Sequence, residues 1–361
     1  MLDSTNAKIL EGLGKYGPRN VLALAKSIGL PPTTVAFRLR KLMKDGLLQI
    51  RANLDHSKLG LMKAILFVES PARQKAKCRQ VIENLDYWTY MTQCHGKYEG
   101  YYTIFAFPAV FEKQLQQYLE KAAALGVFSS YTLHRIGNLT EIGPNFHWFD
   151  FNTKSWNFQW EHWIDEVNSQ AENSPLDLNE PKTYSIRGDV IDILILKELE
   201  KDGAAKFTEL AKVANITPQG VRYRYNRHII GRNLLNEYQV ATLPYPLPSS
   251  DMCSFIISFK DKKTLTRFSN SLHRKPFVFT YGKAIRQLSL ILHTYTPKTE
   301  FRNLIDSMNR LAEKNLIEDF LYVILDVESF KRQTISYEFF EEGRWTYNHK
   351  KKLEKLSEMA Q

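Results

Sequence analysis

Over the first fifty residues, apolar positions recur every third or fourth residue and then switch to alternation. Ile9, Leu10 and Leu13 mark one helix, with Thr5 or Asn6 as its cap; a second is expected at about 19–28 and a third at about 32–45. Pro32 stands at the start of the third, where its missing N–H costs nothing, and Gly46 closes it. LLQIRANLD (47–55) then reads as extended with turn residues at its end, as in a small β-hairpin. MKAILFVES follows as a strand, ARQKAKCRQVIENL as a helix, WTYMTQCHGK and YYTIFAF as strands, VFEKQLQQYLEKAAALG as a helix and FSSYTLHRI as a strand. The order is βαββαβ, a split-βαβ sandwich with its helices on one sheet face.

The pattern is then written again. Setting Val35 on Val221, an offset of 221 − 35 = 186, also brings Leu24, Ala25, Lys26, Pro32 and Arg38 onto Leu210, Ala211, Lys212, Pro218 and Arg224. The same offset puts Gly96 on Gly282, and FNTKSWNF (151–158) resembles FEEGRWTY (340–347), with Trp156 on Trp345 at 345 − 156 = 189. Spacing held over so long a stretch marks a duplication. The fold class is α+β: a tandem duplication of a winged helix-turn-helix plus a ferredoxin-like βαββαβ domain, each with an appended β-hairpin. The helix-turn-helix units occupy 1–55 and 185–245, and the βαββαβ domains with their hairpins 60–160 and 250–348. Between the copies, 161–184 reads as an acidic linker, and 349–361 is a basic tail.

Charge gives the third helix a meaning. The 361 residues carry 49 Lys and Arg against 39 Asp and Glu, a net of +10, which favours a polyanionic partner. Residues 1–55 hold nine basic and four acidic side chains, half of that excess. On a helical wheel Val35, Leu39 and Leu42 share the packing face, while Thr33, Phe37, Arg40 and Lys44 point the other way, with Thr34 and Lys41 beside them and Arg38 on the flank. A helix with such an outer face fits the major groove of double-stranded DNA. Thr33, Thr34, Phe37 and Arg40 are then expected nearest the bases and Arg38, Lys41, Lys44 and Arg51 on phosphates. In the second copy Gln219, Tyr223, Asn226 and Arg227 are expected at the bases, with Arg222, Arg224 and Arg232 on phosphates. A merely solvated basic helix is the alternative.

At this point the residues resemble a known family. Gly29-Leu30-Pro31-Pro32-Thr33-Thr34-Val35 with Arg38, Leu42 and Gly46, RANLDHSKLGL (51–61) and GKYEGYY (96–102) are similar to the leucine-responsive, feast/famine (Lrp/AsnC-like) regulators. The resemblance implies a winged helix-turn-helix joined to a βαββαβ (RAM-like) domain that pairs through its sheet, self-associates and takes an amino-acid effector. Gly96, Lys97, Tyr98 and Glu99 match the family's effector turn. Two fused units imply an intramolecular pseudo-dimer with two unlike reading helices. The sequence departs from the family at Pro31, where a capping serine is usual, and at Tyr225 and His228, which replace leucines. Gly220 weakens the second reading helix, and Gly282-Lys283-Ala284-Ile285 lacks the tyrosine and acid of the first turn.

Other chemistry is sparse in the sequence. Three cysteines without C-x-x-C spacing argue against disulfides and zinc, and no apolar run is long enough for a bilayer, so a cytoplasmic protein without a membrane partner is expected. Cys94 and His95 are strand neighbours on opposite faces, and neither H-E-x-x-H nor a glycine-rich phosphate loop occurs. No catalytic residue, metal or cofactor is assigned, and the chain is expected not to be an enzyme. Two alternatives stay open: a non-DNA-binding scaffold, and a sirohaem decarboxylase, whose family this arrangement also resembles and which would draw on His95, Arg286 and His293. HWFDFNTKSWNFQWEHW (147–163) reads as an added hairpin covering a βαββαβ domain, or as a stacking surface for single strands.

Overall fold

The computed structural model describes residues 3–170, 178 and 180–361. Asp3, rather than Thr5 or Asn6, caps the first helix α1 (Ser4–Tyr16), accepting from the Asn6 N–H at 2.6 Å. Asn20 caps α2 (Val21–Ile28), whereas α3 (Pro32–Lys44) begins without any side-chain cap. The remaining elements of the first copy are β1 (Gln49–Leu54), β2 (Leu61–Glu69), α4 (Lys75–Glu83), β3 (Trp88–Gly96), β4 (Gly100–Pro108), α5 (Glu112–Ala124) and β5 (Ser130–Ile136). The short strands β6 (Thr140–Glu141), β7 (Phe149–Asp150) and β8 (Ser155–Trp156) lead into α6 (Trp160–Ser169).

The second copy repeats this order. Helices α7 (Val190–Lys201), α8 (Phe207–Ala214) and α9 (Pro218–Arg224) precede β9 (Leu235–Ala241), and α9 runs on into a π turn at Tyr225–Ile230. Then come β10 (Ser250–Ser258), α10 (Lys262–Ser271), β11 (Val278–Lys283), β12 (Ser289–Pro297), α11 (Lys298–Glu313) and β13 (Asp319–Leu325). The short strands β14 (Lys331–Arg332), β15 (Phe340–Glu341) and β16 (Arg344–Trp345) end at α12 (His349–Ala360).

The copies are built into each other. The eight long strands form one sheet in the order β5-β2-β4-β3-β13-β10-β12-β11, and the Ile136–Ala284 bridge brings its two ends together. The two edge strands thereby meet within the chain at the Ile136 end of β5. Between the two halves of this closed sheet lies an apolar filling that includes Ile65, Phe67, Ile256, Ile291 and Val323. Strand alternation sends the opposite faces outward, under α4 and α5 on one side and α10 and α11 on the other.

Four expectations change here. β1 does not fold back as a hairpin; it pairs antiparallel with β9, and Ala52 opposite Tyr238 marks the local two-fold centre. Residues 161–169 are helix rather than linker: Trp160, Trp163, Ile164 and Val167 recur at helical spacing and bury on the second domain. The acids on the outer side of α6 pair with cations of that domain, as in Glu161–Arg310 and Lys275–Glu166. Glu172 and Asp177 of the expected linker fall outside the described residues. The tail at 349–361 is the helix α12, whose Leu356 is buried against the first domain. Each copy thus sends its terminal hairpin and helix onto the other copy's domain: Trp345 donates to the Leu59 carbonyl, and Tyr87 to that of Thr346.

The fourth change concerns register. Glu69 pairs with Gly100 and Ser258 with Ser289, an offset of 189, while Tyr90 and Thr280 occupy matching places beside Ile104 and His293, an offset of 190. A bulge beside Tyr90 recurs beside Thr280. The structural partner of Gly96 is therefore Arg286 and not Gly282; both Gly96 (φ 114°) and Arg286 (φ 61°) have the positive φ that the turn requires.

Candidate nucleic-acid interface and an adjoining cavity

Packing orients α3. Val35, Leu39 and Leu42 are buried, and Thr33, Phe37, Arg40, Lys41 and Lys44 are exposed, with Phe37 at 62%. On α9 and its π turn, Gln219, Arg222, Tyr223, Asn226 and Arg227 are exposed, with Tyr223 at 61%. Thr217 caps α9 through the Gly220 N–H at 3.1 Å. Thr34 is half-buried.

The arginines on the flanks behave otherwise. Arg38 donates to Asp3 at 2.7 Å and Asn6 at 2.9 Å, and Arg224 donates to Asp189 and Asp192 at 2.7 and 2.8 Å. Each pair of acceptors sits 186 residues apart in the duplication, since 189 − 3 = 192 − 6 = 186. In both copies this arginine ties the third helix to the start of the first. Asp192 is fully buried and also meets His228 at 3.0 Å, and Arg232 donates to the Arg187 carbonyl at 2.7 Å. Asp189, Asp192 and His228 have metal-ligand spacing, but Arg224 already supplies the positive charge there. The effector-like turn is closed on itself. Glu99 accepts from the Gly96 N–H at 3.2 Å and meets His95 at 3.0 Å, which holds its carboxyl below the usual range. Tyr98 meets the Thr132 hydroxyl at 2.7 Å, and Lys97 is exposed.

Arg51 does not face outward with the helices. With Gln239 it turns from the β1–β9 ribbon into a half-open cavity of about 420 Å³ between the ribbon and one end of the closed sheet. The opposite wall is supplied by Lys63, Tyr90, Tyr102 and His293, and Glu200 reaches in from the end of α7. Glu141 and Arg332, which hold matching places in the two copies beside Thr280 and Tyr90, flank it. His293 lies between the Tyr102 hydroxyl at Nε2 and the Thr280 hydroxyl at Nδ1, both at 2.6 Å, and burial pushes its pKa down to about 4. Burial lowers the pKa of Lys63 and Arg332 and brings Arg51 to about 10, with Arg332 repelling both of the others. It raises Glu141, and it raises Glu200 to about 7.

Sequence reasoning named Arg51 and His293 but did not bring them together. One signal was present: Lys63 lies in phase with Ile65 and Phe67, so it points to their buried side of β2. Glu141 and Arg332 follow the last strand of each domain, where no periodicity marks them.

Similarity searches agree with this architecture. An AsnC-type helix-turn-helix domain model matches residues 189–227, and a winged helix-turn-helix DNA-binding model matches 2–49. An uncharacterized HTH-type transcriptional regulator of Pyrococcus furiosus is 34% identical over 74 residues, 20% of this chain and 49% of that protein. The proline dehydrogenase transcriptional activator of Rhizobium radiobacter is 42% identical over 79 residues, 21% of this chain and 50% of that protein. The chain spans about half the length of these curated relatives. Among solved structures, the sirohaem decarboxylase NirDL superposes with a TM-score of 0.54 at 12% identity over 97% of both chains. It has also been solved with an iron-uroporphyrin III analogue.

The fold and these matches define a class: a duplicated winged helix-turn-helix chain whose two RAM-type domains close on each other. Within that class the helix-turn-helix segments resemble those of AsnC-type regulators. The expectation of a non-enzyme is corrected, because the same whole-chain fold occurs in an enzyme, NirDL. Among the described residues, no helix is long and apolar enough to cross a membrane.

Proposed function

We propose that the chain binds double-stranded DNA as an intramolecular pseudo-dimer and regulates transcription. The observation that carries this reading is the pair of exposed, acid-free outer faces, Phe37, Arg40, Lys41 and Lys44 on α3 and Arg222, Tyr223, Asn226 and Arg227 on α9. In this reading all the Lys and Arg of these faces meet phosphate, Arg40 and Arg227 included although the helical wheel put them nearest the bases, while polar and aromatic side chains near the helix start meet base edges. Asn226 offers a bidentate contact to adenine. The β1–β9 ribbon fixes the two reading heads about a local two-fold, which suits two half-sites on one duplex. Arg38 and Arg224 brace their own three-helix units in this reading, and Arg51 belongs to the cavity. An effector at Gly96–Glu99 is left out of it, because Glu99 is spent on its own turn. The test is binding of the intact chain to a random-sequence duplex across a salt series. Affinity that falls steeply with salt is expected, and absence of salt-dependent binding would overturn the reading.

A second reading, decarboxylation of a carboxylated tetrapyrrole, draws on a separate observation. The cavity that Arg51, Lys63 and Arg332 line is enclosed by a fold that NirDL shares along its length. Both ring nitrogens of His293 are engaged by hydroxyl groups, so this histidine reaches an iron only after releasing Tyr102 or Thr280. Titration with iron uroporphyrin, followed by its Soret band and by carbon dioxide release from sirohaem, tests the reading. An unshifted band and no release would dismiss it.

A further inference from the structure

Three cations converge on the cavity without ion-pair partners. Among the described residues, Lys63 and Arg332 have neither a hydrogen-bond acceptor nor a carboxylate at ion-pair distance, and Arg51 donates only to Gln49, at 2.8 Å. The nearby acids are already served by neutral donors. Glu141 accepts from Gln239 at 2.8 Å, Glu200 from the Ile335 N–H at 2.8 Å, and Glu237 from Asn53 at 3.3 Å and the Glu141 N–H at 3.0 Å. Three cations thus share the lining with two carboxylates, Glu141 and Glu200, which attract them without reaching ion-pair distance, so the balance of charge in the lining is on the cationic side. His56, on the same wall, is 5% exposed, and its ring nitrogens make no well-formed hydrogen bond. The rest of the lining mixes polar residues, among them Asn53, Thr89 and Gln333, with apolar ones, Leu139, Leu243, Leu325 and Phe330. Its volume of about 420 Å³ falls in the range of small-molecule sites, ~300–1,000 Å³.

We infer that the cavity is a binding site for an amphipathic organic anion, with Lys63 and Arg332 holding the anionic group and Leu139, Leu243 and Leu325 covering the apolar body. The walls come from both parts of the molecule, Arg51 and Gln239 from the reading-head ribbon and Lys63, Tyr90 and Tyr102 from the closed sheet. A bound anion therefore bridges the helix-turn-helix pair to the sheet beneath it. This inference goes beyond the DNA reading and does not depend on it; it shares its cavity with the tetrapyrrole reading, which needs an iron tetrapyrrole and carbon dioxide release, whereas anion binding here needs neither. The site is also distinct from the Gly96–Glu99 turn, which lies where β3 and β4 meet.

The experiment uses the full chain and the fluorescent anion 8-anilinonaphthalene-1-sulfonate, with decanoate and decanol as competitors. Saturable binding of one probe per chain is expected, displaced by decanoate at least tenfold more effectively than by decanol. Lys63→Met introduces the residue type of the matching position in the second copy, Met252, and is expected to weaken the probe at least tenfold, as is Arg332→Gln. Lys63→Arg should restore binding to within threefold of the parent, and Arg40→Ala, on the outer helix face, should leave it unchanged. Equal probe affinity in the parent, Lys63→Met and Arg332→Gln chains would overturn the proposal, as would equal displacement by decanol and decanoate. If Lys63→Met fails to fold, Lys63→Arg and Arg332→Gln still decide it, since charge alone separates them.

Discussion

Neutralising Lys41 is the sharpest probe of the DNA reading, because its effect can be worked out in advance. Five cations stand on the two reading faces, exposed and in no ion pair among the described residues: Arg40, Lys41, Lys44, Arg222 and Arg227. Each phosphate contact contributes about 0.9 to the slope of log affinity against log salt, so five contacts give about 4.5. Raising salt from about 50 to about 200 mM then weakens the parent by about 500-fold and Lys41→Ala by about 150-fold. Fluorescence anisotropy with a random-sequence duplex reads both slopes directly. The double variant Arg222→Ala/Arg227→Ala is expected to lose about 1.8 from the slope if α9 shares the duplex with α3. Arg38→Ala and Arg224→Ala should lower stability and leave the slope alone, since their guanidinium groups are engaged within the protein. An unchanged slope in Lys41→Ala, or a changed sequence preference at constant slope, would refute the assignment of Lys41 to phosphate. The comparison needs intact chains, because β3 pairs with β13 and each copy's terminal helix packs on the other.

Asp192→Ala should cost about 3–5 kcal/mol in urea unfolding, because it strips the fully buried partner of Arg224 and His228, whereas Asp3→Ala at the more exposed counterpart should cost about 0.5–2 kcal/mol, chiefly through its cap. Glu200 is raised in the fold from 4.5 to about 7, so the native state holds a proton that the unfolded chain has released. Stability contributed by this group is thus complete below pH 4.5 and falls until about pH 7, by up to about 3 kcal/mol; Glu200→Gln should flatten that part of a melting-temperature profile. Gly100→Ala should destabilise by about 1–3 kcal/mol in the same assay, because a Cβ there would stand 2.2 Å from the Val68 carbonyl oxygen. A silent Gly100→Ala would mean that β2 and β4 can part at that end without loss.

Local patterns were legible because neighbours in the chain decide them. The three-helix units, the two βαββαβ domains and the outward side of α3 all follow from the spacing of Val35, Leu39 and Leu42 and from strand alternation. The duplication was legible for the same reason, since like segments bury like positions. Matching by a single offset failed at Gly282, however, because insertions between elements shift the register by a few residues, and only strand pairing shows that Arg286 is the counterpart of Gly96. Trp160, Trp163, Ile164 and Val167 carried a helical signal inside a segment whose acids suggested a tether.

Contacts between the copies belong to the tertiary structure alone. Nothing in LLQIRANLD says that its strand partner lies about 190 residues away rather than in the next turn, because both partners satisfy the same backbone groups. The exchange of terminal hairpins and helices depends likewise on which apolar surface each meets first in space. The cavity is the extreme case. Its cations come from β1, β2 and β14, and each alone reads as an ordinary surface or strand residue. Periodicity told which side of its own strand Lys63 occupies; only the closure of one copy on the other decided that this side faces Arg332.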